Sequence, residues 1–257
     1  MPSHADIINV KKLEPNLFVN YGILVQSNFI VSYLKTEGIK WFIFAVVNQE
    51  TMLIPVARNI FRWRSNDPEL GIDQYGTMLL KDDLIVIVDP PMVPGLVEAI
   101  RILGKPEAVI MTNFAHSRGS NAMARHLGID LYIPEIKGKD GRENEEEIRF
   151  LHLDRAIRYN ESTKLPLGIK AHHLRPKTDS GDVVFDEMEL QFENFLVLGD
   201  SAWGINGKIN YFPAGIMPDE GRKKETANRI ALEKLLKETG SRGLISGHGE
   251  VITGLSR

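Results

Sequence analysis

The chain has no cysteine in 257 residues. That excludes disulfides, thiolate metal sites and cysteine nucleophiles, and it agrees with a reducing compartment. Long apolar runs are missing as well. WFIFAVV, Trp41 to Val47, falls far short of the roughly 20 residues that span a bilayer. The opening MPSHADIINVKKLEPN lacks the basic start and apolar centre of a signal peptide, so a cytoplasmic location is expected. Positive charge is not in excess: the formal net charge is −3 and the pI is near 6.2. Such a balance argues against nucleic acid or an anionic membrane as partner. With 43% hydrophobic residues the chain can build a real core, and its length suits one α/β domain over 1–257 or at most two small ones.

What is present begins with strands. Residues 17 to 80 hold NLFVNYGILV, FIVSYLK, IKWFIFAVV and TMLIPVARNIF, rich in β-branched and aromatic residues and separated by polar or turn residues. FRWRSNDPELGIDQYG reads as a turn-rich connection. Leu84 to Val88 is then a continuous apolar strand that ends on Asp89, because Pro90 and Pro91 cannot continue it. Val93, Leu96, Val97 and Ile100 recur at helical spacing, and Gly104 closes that helix. EAVIMT is the next strand and leads into Asn113 and His116.

The same order returns near the C-terminus. Phe195 to Leu198 is a strand ending on Asp200. A glycine-containing loop follows, then a helix over about 219–239 with Ala227, Ile230, Ala231 and Leu235 on one face. RGLISGHGE is the last strand and presents His248 between two glycines. Strand, acid, loop, helix, strand and polar group therefore occur twice, as architecture and not as a residue-by-residue repeat. Matching strand ends predict one shared cleft, which α/β folds build outside the carboxyl ends of their strands. Between the halves, the charged run Lys137 to Arg149 suits a solvated loop or helix end.

Taken in order, these pieces resemble the metallo-β-lactamase superfamily, whose fold is an αββα sandwich of two β-plus-α halves. LLKDDLIVIVDPP is similar to its early strand ending in aspartate. VIMTN and NAMARHLGIDLYIPE resemble the strand before the metal-ligand loop and the helix and strand after it. LGIKAHHLRPKTDSGDVVF is similar to the segment around the third ligand histidine, NFLVLGDSAWG to the strand carrying a metal-bridging aspartate, and LISGHGEVI to the last ligand histidine. The resemblance spans about residues 75–257, and the first 70 fall to the opening strands by default.

One departure stands out. The family places His-x-His-x-Asp-His directly after the strand. Matching Thr112 to the preceding threonine puts Asn113, Ala115, Ser117 and Arg118 at those four positions. Alanine has no donor atom, and a guanidinium stays protonated and cannot coordinate a cation. His116 lies one residue from the family's second histidine.

The cleft candidates are Asp89, Asn113, His116, Arg118, Asp200 and His248. Asp200 either coordinates, as the resemblance implies, or caps its own loop by accepting backbone N–H bonds. Glycines around His248 let the chain turn tightly, which favours a placed side chain. His172 and His173 alternate across a strand, so one of them can face the cleft. His173 joins Asp200, His248 and His116 as a metal-ligand candidate. His116 and Arg118 could form an anion-binding pair near the helix starting about Ser120. The preferred alternative has Arg118 pairing with Asp89 or Asp200 and filling the vacated metal space, because buried carboxylates need partners. Trp203 and Tyr211 either line a pocket or pack in the core. His4, His126 and His152 have no supporting context, and Ser117 and Ser120 lack a G-x-S-x-G frame.

The reading expected on these grounds is a metallo-β-lactamase-like fold without the dinuclear site or any cofactor, binding a small molecule or anion or serving structurally. The alternative is a mononuclear hydrolase of a lactone, ester or thioester, with zinc, iron or manganese held by Asp200, His248 and one or two of His116, His172 and His173. A nucleic-acid-processing role conflicts with the acidic charge.

Overall fold

The computed structural model describes residues 20–26, 29–36, 39–47, 51–67, 71–137, 145–153, 155–211 and 221–255. Strands β1 (Asn20–Gln26), β2 (Phe29–Thr36), β3 (Ile39–Val47) and β4 (Thr51–Met52) form an antiparallel sheet of their own. Of the first 70 residues, assigned by default to the opening strands of the sandwich, those up to Met52 thus pair in a separate sheet, whereas 54–57 and 60–67 are strands of the first main sheet.

The first main sheet has seven strands: β5 (Ile54–Ala57), β6 (Ile60–Asp67), β7 (Ile72–Lys81), β8 (Leu84–Val88), β9 (Lys105–Ile110), β10 (Asp130–Pro134) and β11 (Ile157–Tyr159). They lie side by side in chain order, antiparallel up to β8 and parallel from β8 to β11. The parallel crossovers carry helices α1 (Leu96–Leu103), α2 (Ser120–Leu127) and α3 (Glu145–Phe150). The second half contains β12 (Lys170–Leu174), β13 (Glu187–Phe192), β14 (Phe195–Leu198), a hairpin of β15 (Ala202–Ile205) and β16 (Lys208–Tyr211), helix α4 (Gly221–Thr239), β17 (Gly243–Ser246) and β18 (Ile252–Thr253). Its sheet runs β12-β13-β14-β17-β18, with β14 and β17 parallel.

Period-two alternation builds the layers. Along β14, Leu196 and Leu198 turn to α4 and pack with Leu232, Leu235 and Leu244. Val197 and its register partner Ile245 turn the other way, into the core with Phe61, Val86 and Val109 of the first sheet. Each such side chain, removed from water, stabilises the fold by roughly 1.5–3 kcal/mol. No helix among the described residues is long and apolar enough to cross a membrane.

Two sequence expectations are corrected. Residues Phe61 to Asp67 do not connect but form most of β6, paired throughout with β7. The polar pattern misleads because Arg62 is buried. Its guanidinium donates to the carbonyls of Ser246 and Gly249 and stacks 3.8 Å over the Tyr75 ring. On α4 the docking face runs through Asn228, Leu232 and Leu235, whereas Ile230 is 60% exposed. The polar Asn228 sits on that face because its Nδ2 donates to the Ser201 carbonyl at 2.6 Å.

Candidate functional site

The carboxyl ends of β8, β9, β14 and β17 open on one cleft, and each delivers polar side chains to it. Asp89 follows β8 in a left-handed conformation, φ 46°, which Asp tolerates better than most residues. Its Oδ1 accepts the Thr112 N–H at 2.8 Å. Its Oδ2 accepts the Thr112 hydroxyl at 2.5 Å and His116 Nδ1–H at 2.9 Å. Asn113 sets the loop that carries His116: its Oδ1 accepts the His116 N–H at 2.9 Å, an Asx-type turn.

From the second half, Glu187 on β13 reaches under the loop after β14. It accepts the backbone N–H groups of Asp200 and Ser201, both at 2.8 Å, and Asn113 Nδ2–H at 2.9 Å. One carboxylate therefore ties together the site loops of both halves. Glu189 accepts the Ser201 hydroxyl at 2.7 Å. Burial and the neighbouring Glu187 push the Glu189 carboxyl well above its usual range. Glu187, Glu189 and Asn228 were not foreseen. The available signal was two glutamates, two apart, in the apolar strand EMELQF.

Two glycines make room for this convergence. A Cβ on Gly199 would meet Asn113 Nδ2 at 2.5 Å and Glu187 Oε2 at 2.6 Å, and one on Gly247 would collide with His116 Cε1. Before His248 the glycine therefore serves close approach; of the two flanking glycines, Gly249 is the one with positive φ.

His116, Asp200 and His248 meet here. His116 Nε2 lies 3.2 Å and His248 Nε2 3.4 Å from Asp200 Oδ1. His248 Nδ1 donates to the Asp73 carbonyl at 2.8 Å, and the Trp203 ring packs 4.9 Å from the His248 ring. Arg118, at φ 36°, points inward against both imidazoles, with Nη2 3.0 Å from His116 Nε2 and 3.2 Å from His248 Nε2. It also donates to the carbonyls of Tyr75 (2.9 Å), Asp89 (3.4 Å) and Gly247 (3.4 Å). The expected pairing with Asp89 thus goes to the backbone oxygen, because Thr112 and His116 already hold that carboxylate. Nor does the inward end of Arg118 keep a donor for an external anion.

Protonation follows from the partners. Burial alone would lower the His116 pKa, but Asp200 and Asp89 on its two sides outweigh that and raise it to about 9. At neutral pH both ring N–H groups donate to carboxylates. Arg118 Nη2 then serves His248 Nε2 and the Gly247 carbonyl. Burial would raise the Asp200 carboxyl, yet His116 and His248 hold it well below the usual carboxylate range. A raised histidine pKa contributes stability that is complete below about pH 6.5 and is lost as pH rises through about 9. Urea unfolding should therefore show a fall of roughly 3 kcal/mol between pH 6 and pH 9.5. A His116→Gln variant should flatten that dependence; an unchanged slope in the variant would assign it elsewhere.

His116, Asp200 and His248 are the one group of three or more such donors among the described residues with ligand atoms within 4.8 Å of one another. The donor types suit zinc, and both Nδ1 atoms are oriented by oxygen partners, as in metal sites. The space does not suit it. An ion about 2.1 Å from both Nε2 atoms would touch Arg118 Nη2, a like charge already within 3.2 Å of each. It would also have to displace the His116 proton. With Arg118 turned inward, these residues do not fit a divalent metal.

The other candidates lie apart. His173 is partly exposed and pairs with Asp186, and His172 meets Gln191. Tyr211 reaches Glu233 on α4 and takes no part in the cleft, unlike Trp203. His126 and His152 are exposed, and His4 lies outside the described residues.

No protein-family model matches the sequence, and no curated protein does. Solved structures do match. DIM-1 metallo-β-lactamase superposes with a TM-score of 0.56 at 16% identity over 79% of this chain and 91% of its own. FIM-1 from Pseudomonas aeruginosa, in its mono-zinc form, gives 0.55 at 12% over 79% and 89%. A metallo-β-lactamase from Pontibacter korlensis gives 0.55 at 10% over 79% and 94%. At such identities the likeness is one of architecture, and it agrees with the two β-plus-α halves and the cleft between them: the chain has the metallo-β-lactamase fold.

Proposed function

We propose that this chain is a metal-independent, small-ligand-binding protein, one domain over residues 1–257, in which Arg118 takes the place of an active-site ion. The observation that carries the reading is Arg118 Nη2 lodged 3.0 and 3.2 Å from the two imidazole nitrogens that would otherwise hold a metal. The guanidinium supplies the positive charge that Asp89 and Asp200 require in a buried setting. Because it is covalently part of the chain, no ion has to be acquired. A cytoplasmic location is the companion reading, supported by the absence of cysteine. Neither nucleic acid nor a membrane is the proposed partner, in keeping with the net charge of −3.

A mononuclear hydrolase of a lactone, ester or thioester is the second reading, favoured by the convergence of His116, Asp200 and His248. Metal content decides between them. Protein purified without chelator or affinity tag should contain far less than one equivalent of zinc, iron or manganese by mass spectrometry, before and after incubation with excess metal. Near-stoichiometric metal, lost in His248→Ala, would establish the second reading instead.

A further inference from the structure

We propose that the cavity beside Asp200 binds a small protonated amine carried on an apolar ring. The proposal rests on the metal-free reading of the cleft, since a metal would engage Asp200 itself. A cavity of about 280 Å³ has Asp200 in its lining but not Arg118. Arg118 lines a separate cavity of about 500 Å³. The smaller space is near the lower end for ligand sites, which suits a single-ring molecule. Phe114, Ile136, Val183 and Phe185 give it apolar walls, while Asp200 and Asn113 give it a polar patch.

Asp200 is the acceptor with capacity to spare. Its Oδ1 accepts His116 Nε2–H at 3.2 Å and faces His248 Nε2 at 3.4 Å, but among the described residues its Oδ2 has the Asn113 amide alone, at 3.4 Å. The neighbouring carboxylates on the wall are already engaged. Asp186 takes His173, Arg175 and the Lys137 N–H. Glu187 takes the three N–H groups described above. Lys137 and Glu147, both exposed, bring opposite charges. A carboxylate ligand would face four acidic side chains, whereas an ammonium group could donate to Asp200 Oδ2 and lie near the Phe114 and Phe185 rings, where cation–π attraction adds to the contact.

The test uses benzylamine as probe, with benzyl alcohol and benzoate as neutral and anionic controls of similar shape, followed by amide chemical shifts of the full chain. Benzylamine is expected to saturate with a Kd on the order of 1 mM, about tenfold or more below that of either control. Asp200→Asn should weaken it about tenfold. Ala115→Trp, which places bulk in the cavity without touching Asp200, should abolish saturation; circular dichroism checks that both variants are folded. Equal binding of benzoate or benzyl alcohol overturns the proposal, as does unchanged binding in a folded Ala115→Trp protein. No saturation in wild type also overturns it. Metal analysis of the same sample keeps the two readings distinguishable: bound metal sinks the metal-free reading, while metal-free protein that ignores benzylamine sinks only this one.

Discussion

Replacing Arg118 with alanine is expected to cost about 3–5 kcal/mol of stability at pH 7 in metal-free buffer, with much of the loss recoverable by zinc. The cost follows from removing one partner of a buried charge set. Asp200 and Asp89 lose a cation, while the Tyr75 carbonyl and the Nε2 of His248 lose the Arg118 donor; the Gly247 carbonyl keeps the Tyr75 N–H at 2.9 Å. The recovery follows from the same geometry. With the guanidinium gone, three donors of the right type face an open space, and a ligand that binds only the folded state at 100 times its Kd stabilises it by about 2.7 kcal/mol. Arg118→Gly should behave alike and be somewhat the more stable of the two, because φ is 36° at this position and glycine tolerates it. Urea unfolding with and without zinc reads both effects, and equilibrium dialysis counts the bound ion. Wild type should show neither. If zinc stabilises wild type as much as the variants, Arg118 does not occupy the ion's place.

Glu187→Ala should be as damaging and beyond rescue by any metal. Three donors, the backbone N–H groups of Asp200 and Ser201 and the side-chain amide of Asn113, would lose the Glu187 carboxylate, buried for Ser201 and Asn113 and partly buried for Asp200, and Asn113 would keep only its longer contact to Asp200. Each unsatisfied group costs about 1–3 kcal/mol, so a total of about 3 kcal/mol or more is expected. The loss should also loosen the cleft specifically, since Glu187 joins the loop after β9 to the loop after β14. Hydrogen exchange should rise first at Asp200 and Ser201, with the β8 and β9 amides still protected. Glu187→Gln keeps one acceptor oxygen and should retain part of the stability. Exchange spread evenly over the molecule would show that Glu187 is an ordinary core contact and not a tie between the halves.

The sequence by itself determined the frame on which this cleft is built. Leu84–Val88 and Phe195–Leu198 could be read to the residue because each is a local apolar run stopped by proline, or by glycine and aspartate, and both signals act within a few bonds. Asp89, Asp200 and His248 could be placed at strand ends for the same reason, and their order along the chain indicated the two-halved α/β architecture. Tertiary structure alone decided what those side chains do. Arg62 falls in a segment that reads as a connection and Asn228 outside the apolar face assigned to its helix, and both are settled by carbonyl partners 184 and 27 positions away. Glu187 gained its role from Asn113, 74 positions earlier, and Arg118 from His248, 130 positions later. A buried polar group is stable only with its partner, and no local pattern names a partner that distant folding brings within 3 Å. Hence the place of the cleft could be read from the chain, whereas the fact that its cation is an arginine pressed between two histidines belongs to the fold.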